Sequence, residues 1–422
     1  MSAAVTAMSR TIPCRGGRAG ATYTLARQDA TLQYNLRHQP AALRRPLHSP
    51  AASSTSTSVY ALGEGWTGAP GLGISDTCDP GRVPFPAGTE IISASAGWAH
   101  SSYLARTPSS TVLYASGRPS DFRNVLRLAR FPRSLRSASA QLRAALASVV
   151  DGGIGAVPAS LRLETPADGT APTEIYGRNY RDGDDVSHAP VAICEWGTDG
   201  EGGADPPVSV EAGAGTTYLL TASGRVYSAG NNAYGQSGTG TATGHALRRF
   251  WRVQIDGAPA TKVCAGLQHA LALTADGGVY GWGKAMRGQI GLDFGSRAAV
   301  RGLSEEALEG GFSPSPVRMD LPDGEKATDL ASGLNHTAVL SATGRVFLYG
   351  KHAAGSDGKQ GYVDAIRPVE AAGLPDHAAP VQVSCGSHHT AVLTEDGSVY
   401  GRGWTVDKGF LEDFVMMVPA GR

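Results

Sequence analysis

Four stretches of the chain set apolar positions among small and polar ones in one recurring order: "AGAGTTYLLTASGRVYSAGNNAYGQSG", "AGLQHALALTADGGVYGWGKAMRGQIG", "SGLNHTAVLSATGRVFLYGKHAAGSDG" and "CGSHHTAVLTEDGSVYGRGW". A helix would space its apolar residues three and four apart, and a flexible linker would have few to space. Here a short alternating run ("HALALT") leads through a tight turn such as Asp276-Gly277 into a second run ("GVYGWG"), which predicts a β-hairpin. The first glycine falls at 213, 266, 333 and 386, the second eleven residues later at 224, 277, 344 and 397, and the third at 230, 283, 350 and 403. Later glycines at 235 and 238, 288 and 291, and 355 and 358 are expected to take positive φ or to let backbones approach closely.

Weaker copies precede these four. "VYALGEGWTGAPG" (Val59 to Gly71) keeps the second half of the pattern, and "AGWAHSSYLARTPSSTVLYASG" keeps both halves around Gly97 and Tyr114 with a longer turn. Tyr114 and Tyr227 are 113 residues apart, about twice the 53 between Tyr227 and Tyr280, so one degenerate copy is expected between them. Its remnant is sought in "EIYGRN" (Glu174 to Asn179) or "CEWGTDGEGG" (Cys194 to Gly203). From 59 to 422 there is room for about seven units of 53 residues. Short sheets repeated this way bury their faces against each other, and radial packing does so with little exposed edge. The predicted fold is therefore all-β, a seven-bladed-type β-propeller with a degenerate third blade over 59–422. A linear solenoid fits less well, because each unit holds about four strands.

Composition narrows the class. With 41% hydrophobic and 18% charged residues, 56 glycines and 25 prolines, the chain reads as folded and rich in turns. No run approaches the 18 apolar residues of a membrane helix, since Ala144 to Val157 is broken by Asp151 and three glycines. Residues 1–58 hold seven arginines, no lysine, one acid (Asp29) and fourteen serines or threonines, the composition of an organellar transit peptide without order of its own. Without that segment the basic residues number 37 − 7 = 30 and the acidic ones 37 − 1 = 36, a formal charge of −6, which disfavours nucleic-acid binding over the whole surface. The five cysteines are far apart and contain no CxxC, so neither a disulfide framework nor a zinc site is expected.

Candidate chemistry is sparse. His100, His269, His336 and His389 occupy one repeat column with Thr216, three residues after Gly97, Gly266, Gly333, Gly386 and Gly213 respectively. One histidine per blade cannot converge on an ion, so these glycines and histidines are expected to be structural, with hydrogen bonds for the rings. "GEGWTG" (Gly63 to Gly68) matches GxGxxG, but no helix N-terminus follows it, and no P-loop, nucleophile elbow or HExxH motif occurs. Neither a cofactor nor a metal is expected, and enzyme activity has no support. The basic stretch Arg118 to Val150 departs from the repeat, with seven arginines against Asp121 alone. Leu135, Ala138, Leu142, Ala145 and Val149 fall at helical spacing, and Arg123, Arg127 and Arg130 share an earlier helical face. With Arg133, Arg136 and Arg143 they form a candidate contact for RNA phosphates, an acidic partner or an anionic membrane surface.

The spacing G-x-x-H, apolar strand, Asp-Gly turn, Val-Tyr-x-x-Gly and closing G-Q-x-G resembles the regulator of chromosome condensation family of seven-bladed propellers. The arginine-rich leader, "NNAYGQSG" and "RRFWRVQIDG" resemble its mitochondrial members. The last copy departs from the family by carrying its own "VYGRGW" and "FVMMV", so the first blade is expected to be incomplete or closed differently. The plant ultraviolet-B photoreceptors of the family stack tryptophans from G-W-R-H-T repeats; only "GWAHS" (Gly97 to Ser101) comes near that here. The resemblance implies a mitochondrial protein, in the matrix or at the inner membrane, that works by binding. Its implied roles are a scaffold for ribosome or respiratory-complex assembly or RNA processing, or guanine-nucleotide exchange on a GTPase.

Overall fold

A computed structural model of the chain describes residues 23–28, 57–62, 71, 81–97, 100–117, 175–176, 187–197, 205–243, 247–296, 298–351, 364–405 and 409–420. Twenty-four strands form six antiparallel sheets among these residues. The first sheet joins β1 (Tyr23–Gln28), β2 (Thr57–Leu62) and β3 (Gly81–Arg82), so its outer strand comes from within the segment whose composition marks a leader. The second has β4 (Glu90–Ala96), β5 (His100–Arg106), β6 (Ser110–Gly117) and, beyond β7 (Ile175–Tyr176), β8 (Ser187–Gly197). The third runs β9 (Pro207–Ala212), β10 (Thr216–Thr221), β11 (Val226–Gly230) and β12 (Leu247–Val253), with β7 added outside β12.

The last three sheets are four-stranded meanders. They are β13 (Ala260–Ala265) to β16 (Phe312–Met319) through β14 (His269–Thr274) and β15 (Val279–Lys284); β17 (Ala327–Ser332), β18 (His336–Ser341), β19 (Val346–Gly350) and β20 (Ala365–Glu370); and β21 (Pro380–Cys385), β22 (His389–Thr394), β23 (Val399–Thr405) and β24 (Gly409–Val418). A one-and-a-half-turn helix, α1 (Glu305–Gly310), lies between β15 and β16, capped by the Ser304 side chain at one end and by left-handed Gly311 at the other.

The third, fourth and fifth sheets are buried on both faces, which explains why strands such as "TTYLLT", "HALALT" and "HTAVLS" are buried at every position, whereas β22 of the last sheet alternates and β24 exposes Met416 and Met417. On β10, Leu219 packs back onto Leu104, Leu113 and Trp196 of the second sheet. Its neighbours Tyr218 and Leu220 pack forward onto Val263, Ala270 and Trp282 of the fourth. The next junction repeats the arrangement with Leu271, Leu273 and Met319 against Leu330, Val339 and Phe347, and the one after with Leu340 and Val346 against Val383, Val392 and Phe414. Alternation along these strands therefore assigns a residue to one junction or the other, with water on neither side.

The third sheet packs directly on the second, with β9 touching β4 and β5, so no separate degenerate blade stands between them. Cys194 to Gly197, one of the two expected remnants, is the end of β8 and closes the second sheet, with Trp196 buried against Phe250. Ile175–Tyr176, from the other remnant, is the extra strand on β12. The doubled spacing between Tyr114 and Tyr227 comes from residues 118–186, inserted between the third and fourth strands of one blade; division by the repeat length counted them as a copy. Six sheets thus lie among the described residues where that division gives about seven.

The second glycine of each copy sits in the hairpin turn with φ from 81 to 85°. At Gly397 a Cβ would meet nothing within 4 Å, whereas at Gly224 it would lie 2.5 Å from Pro259 Cβ and 2.8 Å from the Ala260 carbonyl. Gly397→Ala is expected to cost about 1–2 kcal/mol, the left-handed penalty alone. Gly224→Ala should add about 1–3 kcal/mol for the clash. Urea unfolding midpoints at unchanged m-value rank the two, and equal losses would contradict the packing described.

Candidate functional site at the blade junctions

The first strands β4, β9, β13, β17 and β21 touch one another in succession and stand around the propeller axis. Each leads into a G-x-x-H corner, with Thr216 in the place of the histidine after β9, where the glycine N–H donates to the carbonyl three residues on, as Gly266 does to His269 at 2.8 Å. The imidazole folds back over the glycine: a Cβ on Gly266, Gly333 or Gly386 would lie 2.1 Å from the ring carbon Cε1 of its own histidine. The carbonyl of the next blade's glycine closes the other side, 2.6 Å from such a Cβ at Gly266 and 2.7 Å at Gly333. At Gly213, where Thr216 replaces the histidine, the nearest atom is 3.1 Å away.

The rings reach forward to the next sheet. Nε2 of His100 is 3.1 Å from Thr217 Oγ1, and Nε2 of His336 is 3.1 Å from Thr390 Oγ1. At the intervening junction, Thr337 donates instead to the Gln289 carbonyl at 2.7 Å. Burial lowers the ring pKa to about 4 at His100 and His269 and, helped by the neighbouring histidines, to about 3 at His336. These rings are neutral at pH 7; His100 and His336 bridge blades while the His269 ring is buried without such a bond, and the described residues contain no group of three or more His, Cys, Asp or Glu placed to hold a metal. The G-Q-x-G loops serve the same junctions: the Gln236 carbonyl accepts from Tyr218 OH at 2.5 Å and from Trp282 Nε1 at 2.8 Å.

Between these corners runs a polar ladder that the sequence pattern alone did not single out. Ser95 Oγ donates to Glu211 Oε2 at 2.9 Å, Lys262 Nζ pairs with Asp329 Oδ1 at 2.6 Å, and Asp329 Oδ2 accepts from the Val383 N–H at 3.0 Å. Burial raises the Glu211 pKa to about 7 against the pull of Ser95 and Lys262. Burial also raises the thiol pKa of Cys264 strongly and that of Cys385 to about 12, so neither is a thiolate nucleophile. The signal was present as a column: Lys262 and Asp329 stand four residues before the first glycine, and Ser95 and Glu211 two before it.

A cavity of about 30 Å³ opens between the fifth and sixth sheets, bordered by Lys351, His388, His389, Arg402 and Phe410. Arg123, Arg127, Arg130, Arg133, Arg136 and Arg143 lie outside the described residues; the segment that carries them leaves β6 after Gly117 and rejoins at Ser187 of β8. Glycines 355 and 358 and Trp98 are outside them too. No helix of the described residues is long and apolar enough to cross a membrane.

Successive four-stranded sheets packed face to face around inner strands make this a β-propeller. The repeat itself matches the family described as "Regulator of chromosome condensation (RCC1) repeat" at residues 208–236, 260–289, 276–340 and 381–406, so the chain carries repeats of that kind. The fold is similar to human WBSCR16 (TM-score 0.57, 20% identity, 86% of this chain and 77% of that one). It is also similar to yeast RCC1 (Prp20) in its crystal structure with Kap60 (TM-score 0.56, 18% identity, 85% and 70%). In sequence it is 31% identical over 196 residues to the Arabidopsis thaliana ultraviolet-B receptor UVR8, covering 46% of this chain. That alignment spans 40% of the receptor.

Two expectations follow from the corners. Gly266→Ala should cost about 3 kcal/mol or more by overpacking and Gly213→Ala about 1 kcal/mol, with His269→Thr recovering part of the first loss; denaturant midpoints read all three. The second concerns acid. His100, His269 and His336 have folded pKa values below their unfolded 6.5, so the unfolded chain binds their protons first and stability present above pH 6.5 is lost as pH falls toward 4. Glu211, raised to about 7, opposes this by one proton. The net of two protons corresponds to about 3 kcal/mol per pH unit at most near pH 5.5. His336→Gln should roughly halve that slope, and urea titrations between pH 5 and 6.5 measure it.

Proposed function

We propose that the protein is a non-enzymatic binding scaffold of mitochondria, acting in assembly or RNA processing such as ribosome biogenesis, with the arginine-rich insertion as its contact. The observation that carries this reading is where the insertion sits. β6 and β8 pair from Ser110↔Gly197 to Gly117↔Ser187, with register shifts at Leu113/Tyr114 and Ala115/Gly117, so a long segment leaves and returns at one end of a paired ladder. The blade junctions, by contrast, are occupied by buried contacts that hold the ring together. Seven arginines against one acid in 118–150 suit phosphates or an acidic protein face, on a chain otherwise near neutral or acidic. The composition of 1–58 supports the mitochondrial assignment. A propeller of the same fold, yeast RCC1, has been crystallised with a protein partner, Kap60.

The full chain, affinity-purified from mitochondria, is compared with a variant in which Arg127, Arg130, Arg133 and Arg136 are replaced by glutamine. Ribosomal RNA or assembly proteins should copurify with the first and fall about tenfold or more with the second. For RNA, the log–log salt dependence of binding should flatten by about three, the share of four phosphate contacts. Equal recovery from both forms would reject the insertion as the contact. Stimulated release of labelled GDP from a copurified GTPase would instead identify the protein as an exchange factor.

A further inference from the structure

We propose that the outer edge of the last sheet, along Phe414 to Val418 of β24, takes up a short extended segment of another protein as an added strand. The inference concerns a different part of the molecule from the insertion and stands whether or not the insertion binds RNA.

It begins with how the other outer strands are finished. A strand at the rim of a sheet offers unpaired N–H and C=O groups, and folded proteins guard such edges with charges, prolines or a covering segment. β8, β12, β16, β20 and β24 are the fourth strands of their sheets. Pro190 and Glu195 interrupt β8, Pro314, Pro316 and Arg318 interrupt β16, and Arg367 and Pro368 interrupt β20. β12 is covered instead, by β7 paired at Phe250 and Trp251. β24 ends in the apolar residues Phe414, Val415, Met416, Met417 and Val418, with neither device.

The register shows the same departure. The aromatic of each third strand faces a charged residue on the fourth in three sheets: Tyr227 faces Arg252, Tyr280 faces Arg318 and Phe347 faces Glu370. In the last sheet Tyr400 faces Met416. Phe414 is buried, but Val415, Met416, Met417 and Val418 are exposed by 39, 49, 54 and 40%. Contiguous exposed apolar side chains mark interaction surfaces, and methionine adapts to partners of varied shape.

The backbone is placed to pair. The Phe414 N–H donates to the Ala372 carbonyl at 3.0 Å, so the residues that lead from β20 to β21 already use this edge once. Two residues on, the twofold repeat of a strand turns the N–H and carbonyl of Met416 to the same side. A bulge between Met416 and Val418 ends the regular edge, which limits the added strand to a few residues.

Size and charge select the occupant. A stable complex of two folded proteins engages about 20–30 residues on each side. Val415 to Val418 alone are too few for a second copy of the chain and match one extended segment. β7 shows the form of such an addition, a two-residue strand on the outer edge of β12. Glu412 and Asp413, both exposed, precede the open stretch, and buried Arg402 lies close enough to offset part of their charge. The segment that fits is therefore apolar at alternate positions and basic at one end.

A short labelled peptide alternating leucine and threonine, with a lysine at each end, is titrated into the full-length chain and followed by fluorescence anisotropy. Saturable binding is expected. Met416→Lys and Val418→Lys, which give this edge the charge that other outer strands carry, should each weaken it about tenfold. N-methylation of the peptide amides, which blocks strand pairing and keeps the side chains, should abolish it. Hydrogen exchange at the Met416 amide should be fast in the free chain and slow in the complex. If Met416→Lys fails to fold, Val418→Lys and the methylated peptide carry the test. Absence of saturable binding, or equal binding by wild type and the folded variants, would overturn the proposal. So would a Met416 amide already protected in the free chain: protection that falls on dilution assigns the edge to a second copy, and protection that does not assigns it to another part of this chain.

Discussion

The structure depends on one constraint: a sheet of four short strands has two apolar faces and no means of covering either alone. Everything conserved in register along the chain serves the meeting of one such face with the next. The alternating residues of β10, β14 and β18 divide between two junctions, and the glycine corners let inner strands approach until carbonyl and α-carbon touch. The histidines of these corners use the space their glycines leave, and His100 and His336 reach across to the following blade. Where Thr216 replaces that histidine, the packing over Gly213 loosens by about an ångström, so one molecule contains both arrangements.

Function is separated from this framework. Charges that do occur at the axis are matched across blades, as Lys262 is with Asp329, and the thiols and imidazoles there are held in their neutral forms. A site for a partner has to come from residues the ring does not need. We propose the inserted segment of the second blade as that source.

Much of the fold was legible because the repeat fixes geometry through few residues. Gly224, Gly277, Gly344 and Gly397 mark turns that demand positive φ, and Gly266 with His269 marks a contact no larger residue permits. Chain length was a poorer guide: residues 118–186 imitate a missing copy only because an insertion of nearly repeat length was placed inside a blade. "CEWG" looked like a remnant of its own sheet, although its partners are Ser110, Thr111, Val112 and Leu113 of the second sheet. The polar ladder was hard to recognise for a different reason. Ser95, Glu211, Lys262 and Asp329 are far apart in sequence and each looks like an ordinary solvent-facing strand position until five inner strands are drawn around one axis.

The bridges made by His100 and His336 run from one blade to its successor, which gives the molecule a mechanical polarity. Pulled from its C-terminus, it would first yield β24 to β21, a meander built from one contiguous stretch, by parting the His336–Thr390 link and the shared core behind it. The second blade cannot come away so simply, because its outermost strand returns from beyond the insertion and must be unzipped against β6 before the rest is freed. Stretching would therefore proceed in unequal steps, with a tough clasp near the amino-terminal end and softer sheets after it.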